Sequence, residues 1–443
     1  MELNHSILEG RMFPALTRFT LPILLSLILQ ALYGAVDLWM VSQFATQADI
    51  SAVSTGSQTI MITNGIVTGL SMGTTILLGQ AIGQRNHQKS AHIMGTSLWI
   101  FFWFGIALSL FLTFGSPFIA HLFNVPAKAF EPTTHYISIC GLGTLFMVGF
   151  NILSSIFYGI GDSKTPLLFV GIACVFNIIG DYLLVHHFHL GASGTAIATI
   201  LAQALSVIYS LCVIQKKLPF AFHKQDCHFY LPYALAILKL GTPIAFLRMC
   251  NEMSYLFIIG FVNTLGVVSS AGVGIAEKLV MFILLIPTAY MSSISTFVAQ
   301  NMGANQPQRA KNALWTGMKT SAIVGSILAY TSFFHGDFMS QFFVKDLAVI
   351  EASAQFLKAT SLECLFFSLA CCFDGYFNGI EHTRFVMIQG IVAALCVRIP
   401  YAYFASLQPH PQLFNIGLST AFAAFFMLVM GTLYYQHIKK QEP

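Results

Sequence analysis

Between Arg18 and Asp37 the chain runs eighteen residues, FTLPILLSLILQALYGAV, without a charged side chain. Leu38 to Phe44 continue it without another charge. A helix needs about 20 mainly apolar residues to cross a bilayer core. The stretch therefore reads as a membrane span, and Asp37 falls inside it. A carboxylate in that setting costs on the order of 3 kcal/mol by insertion scales. Two readings follow: a surface acid at a helix end, or an acid facing a polar cavity where it takes up a proton or a cation.

The rest of the chain has the same character. Of its 443 residues 56% are hydrophobic and only 9% are charged, against roughly 25% charged in a soluble protein. Too few charges remain to cover a water-facing surface, so this is an integral membrane protein. The net charge of +4 comes from basic residues scattered among loops, which implies no nucleic-acid partner. Cys140, Cys174, Cys212, Cys250, Cys364, Cys371, Cys372 and Cys396 lie in apolar surroundings without CxxC spacing. They read as small buried hydrophobes, not disulfides or metal ligands. The opening MELNHSILEGRMF is polar and short, and the apolar run after it is too long for a signal-peptide core, so that run stays as the first helix. No HExxH, nucleophile elbow or P-loop appears, which argues against an enzyme and against direct drive by ATP. No cofactor is expected.

Twelve apolar segments can be marked, at approximately 14–43, 51–82, 91–114, 130–158, 165–186, 191–214, 233–262, 267–300, 310–334, 347–378, 383–406 and 412–436. Arg11, Arg18, Arg85, Lys89, Lys164, Lys216, Lys217, Lys224, Arg309, Lys311, Arg384, Lys439 and Lys440 fall on the side that holds both termini, and the opposite loops hold Lys128 and Lys345. The bias predicts cytoplasmic termini and an even number of crossings. The chain also repeats itself. Gln80 and Gln300, Gly83 and Gly303, Lys89 and Arg309, and Gly159 and Gly379 are each 220 positions apart, and Pro22 and Pro243 are 221 apart. Shared anchors at one offset predict an N-terminal six-helix lobe over 1–214, a polar cytoplasmic linker over 215–232 and a C-terminal six-helix lobe over 233–443. Six is even, so the lobes are parallel repeats, a plan that suits alternating access. The expected fold class is an all-α integral membrane protein with twelve transmembrane helices in two parallel six-helix lobes. Gly65, Gly69 and Gly73 lie four apart in the second segment, a spacing that lets helix backbones approach closely in lipid.

Asp37 has company. Asn177 and Asp181 share one face of the fifth segment, and Thr199 and Gln203 share one face of the sixth. The positions 220 beyond Asn177 and Asp181 are Val397 and Tyr401, so the acid pair belongs to the first lobe alone. Two carboxylates facing one cavity cannot both ionise cheaply and would titrate as a unit. They can hold a proton, or hold Na⁺ with the oxygens of Asn177 and Thr199 completing a hard-cation shell. The alternative is that Asp181 simply sits near the outer face, before His186, His187 and His189. Those histidines read either as solvated bystanders or as a pH-sensing or metal-binding loop. Among the other intramembrane charges, Arg248 and Glu252 are four apart and read either as a structural pair or as part of the cavity. Glu363 is the better match in depth for Arg398 than Asp374 is. Glu277 and Lys278 sit early in the eighth segment, near the external interface. Candidate lining for a substrate cavity is Tyr33, Met40, Met147, Asn151, Gln203, Met253, Phe257 and Met281, because aromatic faces attract cations and flexible Met side chains suit varied ligands.

At the level of motifs the chain resembles the multidrug and toxic compound extrusion (MATE) transporters over nearly its full length, and is most like their DinF-like branch. Pro22 followed by Asp37, VDLWMVSQFATQADISAVSTGSQ, LLGQAIGQRNHQKS, FYGIGDSKTP, NIIGDYLL and GTAIATILAQ carry the likeness. The resemblance implies a V-shaped pair of lobes and antiport: export of organic cations or drugs against inward H⁺ or Na⁺. By the same carry-over Asp37, Asn177, Asp181 and Thr199 form the cation or proton site, and Pro22 marks a helix that bends. It further implies a monomer in a bacterial inner membrane. The NorM-like branch of the family places acids on helices seven and ten. Glu252 stands near the first of these, but LFFSLACCF in helix ten carries no acid. A lipid-linked oligosaccharide flippase of the same wider superfamily is the competing reading. It would require a basic cavity for phosphate, and internal cations here are few.

Overall fold

The computed structural model describes residues 5–441, and among these there is no strand. Twelve long helices follow one another: α1 Met12–Phe44, α2 Gln47–Gly83, α3 His87–Leu122, α4 Ala127–Gly159, α5 Lys164–His187, α6 Gly191–Lys217, α7 Leu231–Asn263, α8 Val267–Gly303, α9 Pro307–Phe334, α10 Leu347–Gly379, α11 Thr383–Ser406 and α12 Leu413–Gln441. Eleven are long and apolar enough to cross a membrane. α9 matches them in length but falls short in hydropathy, because Arg309, Lys311 and Lys319 occupy its first half.

The repeat is visible in the backbone as well as the letters. Arg85 and Asn305, 220 apart, both turn through the left-handed region at φ 54° and 55°. Gly161 and Glu381, again 220 apart, do so at φ 88° and 67°. Glu381 therefore adopts a conformation that glycine holds without strain in the other copy. Helix packing repeats too. In the first half α4 packs on α2, α3 and α6; in the second, α10 packs on α8, α9 and α12.

The chain forms two compact units that divide it elsewhere than at the linker. The first holds Leu21–Ala245 with the segment up to Glu9; the second holds Gly10–Thr20 and the chain from Phe246 onward. The boundaries lie beside Pro22 in α1 and Pro243 in α7, where a missing backbone donor weakens the helix. Linker residues pack within the first unit. Trp99 Nε1 donates to the Cys227 carbonyl (3.2 Å) and the Tyr230 amide donates to Thr96 Oγ1 (3.3 Å).

Two local devices hold the first unit. Gly69 and Gly73 of α2 lie against the backbone of α7: a Cβ on Gly69 would stand 2.5 Å from Ala245 Cα, and one on Gly73 would strike the Ile237 carbonyl and the Gly241 amide. Gly65 faces open space, so the close approach uses two of the three glycines. Gly73→Leu is expected to separate α2 from α7 and cost about 1–3 kcal/mol, seen as a lower melting temperature of the purified protein. The second device is Asp49. Its Oδ2 accepts from the Thr46 amide (3.1 Å) and hydroxyl (2.6 Å), closing a capping box at the start of α2. Its Oδ1 accepts from the Ala192 amide (3.0 Å) at the start of α6. Gly191 makes room for that carboxylate at φ 53°. Asp49→Ala removes both anchors and should lower stability by about 1–2 kcal/mol, read by the same melt.

Candidate ion-binding site

The pocket is built on α1, α4, α5 and α6, all of whose contributing residues belong to the first unit. α5 approaches α6 closely because Gly180 has no side chain; a Cβ there would stand 2.9 Å from Ala198 Cβ. Asn177, one turn earlier, then reaches Thr199: its Nδ2 donates to Thr199 Oγ1 (3.2 Å). Thr199 Oγ1 in turn donates to Asp37 Oδ2 (3.4 Å) on α1. Asp37 and Asp181 are 6% and 0% exposed and interact through their carboxyl groups. α5 changes its winding directly after Asp181: residues 182–187 form a π-helical segment, closed by the Phe188 amide on the Leu183 carbonyl (3.0 Å). Such segments recur at functional positions because they re-aim side chains within an otherwise regular helix.

What distinguishes the pocket is its excess of acceptors. Asp37 Oδ1, Asn177 Oδ1 and both carboxylate oxygens of Asp181 are buried without a hydrogen-bond partner among the described residues. Buried polar atoms ordinarily find partners. Four orphaned oxygens, three of them on the two acids, call for positive charge. The set is oxygen throughout, which suits a proton or a hard alkali cation and not a soft metal. An apolar layer of Val41, Tyr136, Ile137, Val185, Ala192 and Ala196 lies one turn further along these helices and keeps that side dry.

The residues expected from sequence separate into three groups. Asp37, Asn177, Asp181 and Thr199 come together. Tyr33 approaches Asp37 and Gln203 and joins them, and Met40, about one turn beyond Asp37 on α1, is buried. Asn151 and Met147 are also buried, but Asn151 is engaged elsewhere. Its Nδ2 donates to Asn64 Oδ1 (2.8 Å) and its Oδ1 accepts from Thr68 Oγ1 (2.9 Å), a tie between α4 and α2. Met253, Phe257 and Met281 lie in the second unit with side chains about half exposed. Sequence reading missed Tyr136 and Cys140, one turn apart on α4 and both within electrostatic reach of Asp37. Neither carries a formal charge, so neither stood out from an apolar segment.

A family model described as MatE matches residues 22–183 and 243–404. The chain belongs to this family. The two matched blocks repeat the internal duplication and together cover well over half of the transporter. It is 24% identical over 439 residues to a probable multidrug resistance protein, YoeA, of Bacillus subtilis, covering 97% of this chain and 94% of that one. It is 26% identical over 368 residues to an FAD transporter of Shewanella oneidensis, covering 79% and 78%. A solved MOP superfamily transporter from Pyrococcus furiosus shares the fold at a TM-score of 0.93 and 16% identity, over 99% of this chain and 98% of that one. The protein is thus a multi-pass membrane transporter of a multidrug efflux family.

The second unit holds its charges differently from the sequence expectation. Arg248 and Glu252 form no close salt bridge among the described residues, though Arg248 and Arg398 both lie within electrostatic reach of Glu252. Arg398 and Glu363 meet only through a third residue: Arg398 lies 4.5 Å from the centre of the Tyr255 ring and donates to Ser254 Oγ (2.8 Å), while the Tyr255 hydroxyl donates to Glu363 Oε1 (2.9 Å). Tyrosine offers both a π face for guanidinium and a donor for carboxylate, which sequence spacing does not reveal. Glu277 is turned inward, within electrostatic reach of Glu252 and Glu363, with Oε1 buried. Asp374 keeps away from Arg398, as its depth predicted, and accepts from Gln389 instead.

Proposed function

We propose that this transporter exports small organic cations in exchange for an inward-moving H⁺ or Na⁺, bound at Asp37 and Asp181 with Asn177 and Thr199. The observation that carries the reading is the pocket of four unpartnered oxygens in the first unit. Like-charge repulsion leaves the two acids sharing one proton; an inbound monovalent ion neutralises the remaining charge, and loss of that ion restores an anionic pocket that favours a cationic cargo. Coupling then needs only that ion and cargo favour different states of the protein. Pro22, at the unit boundary in α1, is where that helix would yield; the Ser26 hydroxyl donates to its carbonyl (2.8 Å). We further propose that both termini face the cytoplasm and that the transporter works as a monomer in the inner membrane. The family likeness supports drug-like cargo, while the FAD transporter among the relatives makes an anionic cargo the alternative to test.

The test is accumulation of a fluorescent organic cation in cells expressing the protein. Dissipating the ion gradient with a protonophore or a sodium ionophore should raise accumulation to the level of cells without the protein, with ATP held constant. Efflux indifferent to both ionophores, or efflux of anionic dyes alone, would overturn the reading.

A further inference from the structure

A second enclosed cluster of oxygen atoms lies in the other unit, remote in sequence from the residues assigned above. Asp374 and Asn378 stand four apart on α10, so they share a face. Gln389 comes from α11, and its Nε2 donates to Asp374 Oδ1. All three are buried, at 3%, 1% and 2% exposure. The Asn378 Oδ1 and the Gln389 Oε1 have no hydrogen-bond partner among the described residues. The second of these is bonded to the same carbon as the nitrogen that touches Asp374, so it is held within the cluster. No lysine, arginine or histidine forms an ion pair with Asp374 among the described residues. Nearby in sequence, Phe385 stacks on Tyr434 at 3.7 Å between ring centres and Phe377 lies 5.3 Å from Phe385.

We infer that Asp374, Asn378 and Gln389 bind a monovalent alkali cation between α10 and α11. A buried carboxylate with no basic partner needs a compensating charge. A proton would supply the charge but could satisfy only one of the orphaned amide oxygens. An alkali cation accepts the carboxylate and both amide oxygens together, in the all-oxygen shell that hard ions prefer. One carboxylate with two neutral oxygens matches a single positive charge and not a divalent ion. The ion so held ties α10 to α11 and is distinct from the exchanged ion assigned to the first unit. The positions 220 earlier are Ser154, Tyr158 and Phe169, so the first unit has no copy of this cluster. The inference is independent of the ion assigned to Asp37 and Asp181.

The experiment measures radioactive Na⁺ bound to purified full-length protein carrying Asp37→Asn and Asp181→Asn, which silences the first pocket. One Na⁺ per chain should remain, and adding Asp374→Asn, which keeps the shape and the Gln389 contact, should abolish it. If Asp374→Asn fails to fold, Asn378→Ala keeps the charge, removes one oxygen and should weaken binding about tenfold. Melting in NaCl or KCl against choline chloride should likewise show a gain in melting temperature that the Asp374→Asn variant lacks. No alkali ion bound in the Asp37→Asn/Asp181→Asn background overturns the inference. So does binding that survives Asp374→Asn, or a melting temperature that follows pH alone.

Discussion

Asp37→Asn should abolish ion-coupled efflux while leaving the protein folded and in the membrane. Asparagine keeps the size of aspartate and can still accept from Thr199, so the contact at 3.4 Å survives. What disappears is the charge that an inward ion would neutralise. Export against a gradient should fall at least about tenfold, to the level of cells without the protein, since each 1.4 kcal/mol of lost coupling is a factor of ten. Membrane abundance and melting temperature should stay near wild type, because a buried carboxylate lacking full hydrogen bonding is a burden on stability and not a support. Efflux measured alongside a surface-abundance control separates lost coupling from lost protein.

Asp181→Asn should fail in the same way, and the double variant should be no worse than either single one. Asp181 has no hydrogen-bond partner among the described residues and interacts with Asp37 through the carboxyl groups. If the pair takes up its ion as a unit, removing one acid removes the function of both. A double-mutant cycle on transport should therefore give a coupling nearly equal to the full effect of one mutation. Additive losses would mean two separate ions, one on each acid. Asn177→Leu deletes an oxygen and leaves both charges, so it should weaken ion affinity and shift the gradient needed for efflux without abolishing it.

Much of this architecture was open to reading from the letters. The membrane spans follow from long uncharged runs, and the duplication follows from anchors such as Gln80 and Gln300 at a constant offset. The acid pocket was legible because charge is rare in such a chain: with 9% charged residues, each acid within an apolar run is conspicuous. The same reasoning was weaker where neutral residues do the connecting. Tyr255 links Arg398 to Glu363, and Gln389 meets Asp374, and neither contact has a spacing rule because each joins helices distant in sequence. Glu277 looked interfacial by position along its segment, since rotation about the helix axis is not fixed by depth. The prolines Pro22 and Pro243, beside which the unit boundaries fall, were visible in the sequence. That residues on either side of each belong to different units is a property of packing, which the order of residues alone does not state.

The most direct test is transport by purified protein in sealed liposomes, with a proton gradient and a sodium gradient imposed one at a time. Wild-type protein should move an organic cation uphill in response to one of them, and the Asp37→Asn/Asp181→Asn protein should respond to neither. Uphill transport that persists with both acids neutralised would contradict the account.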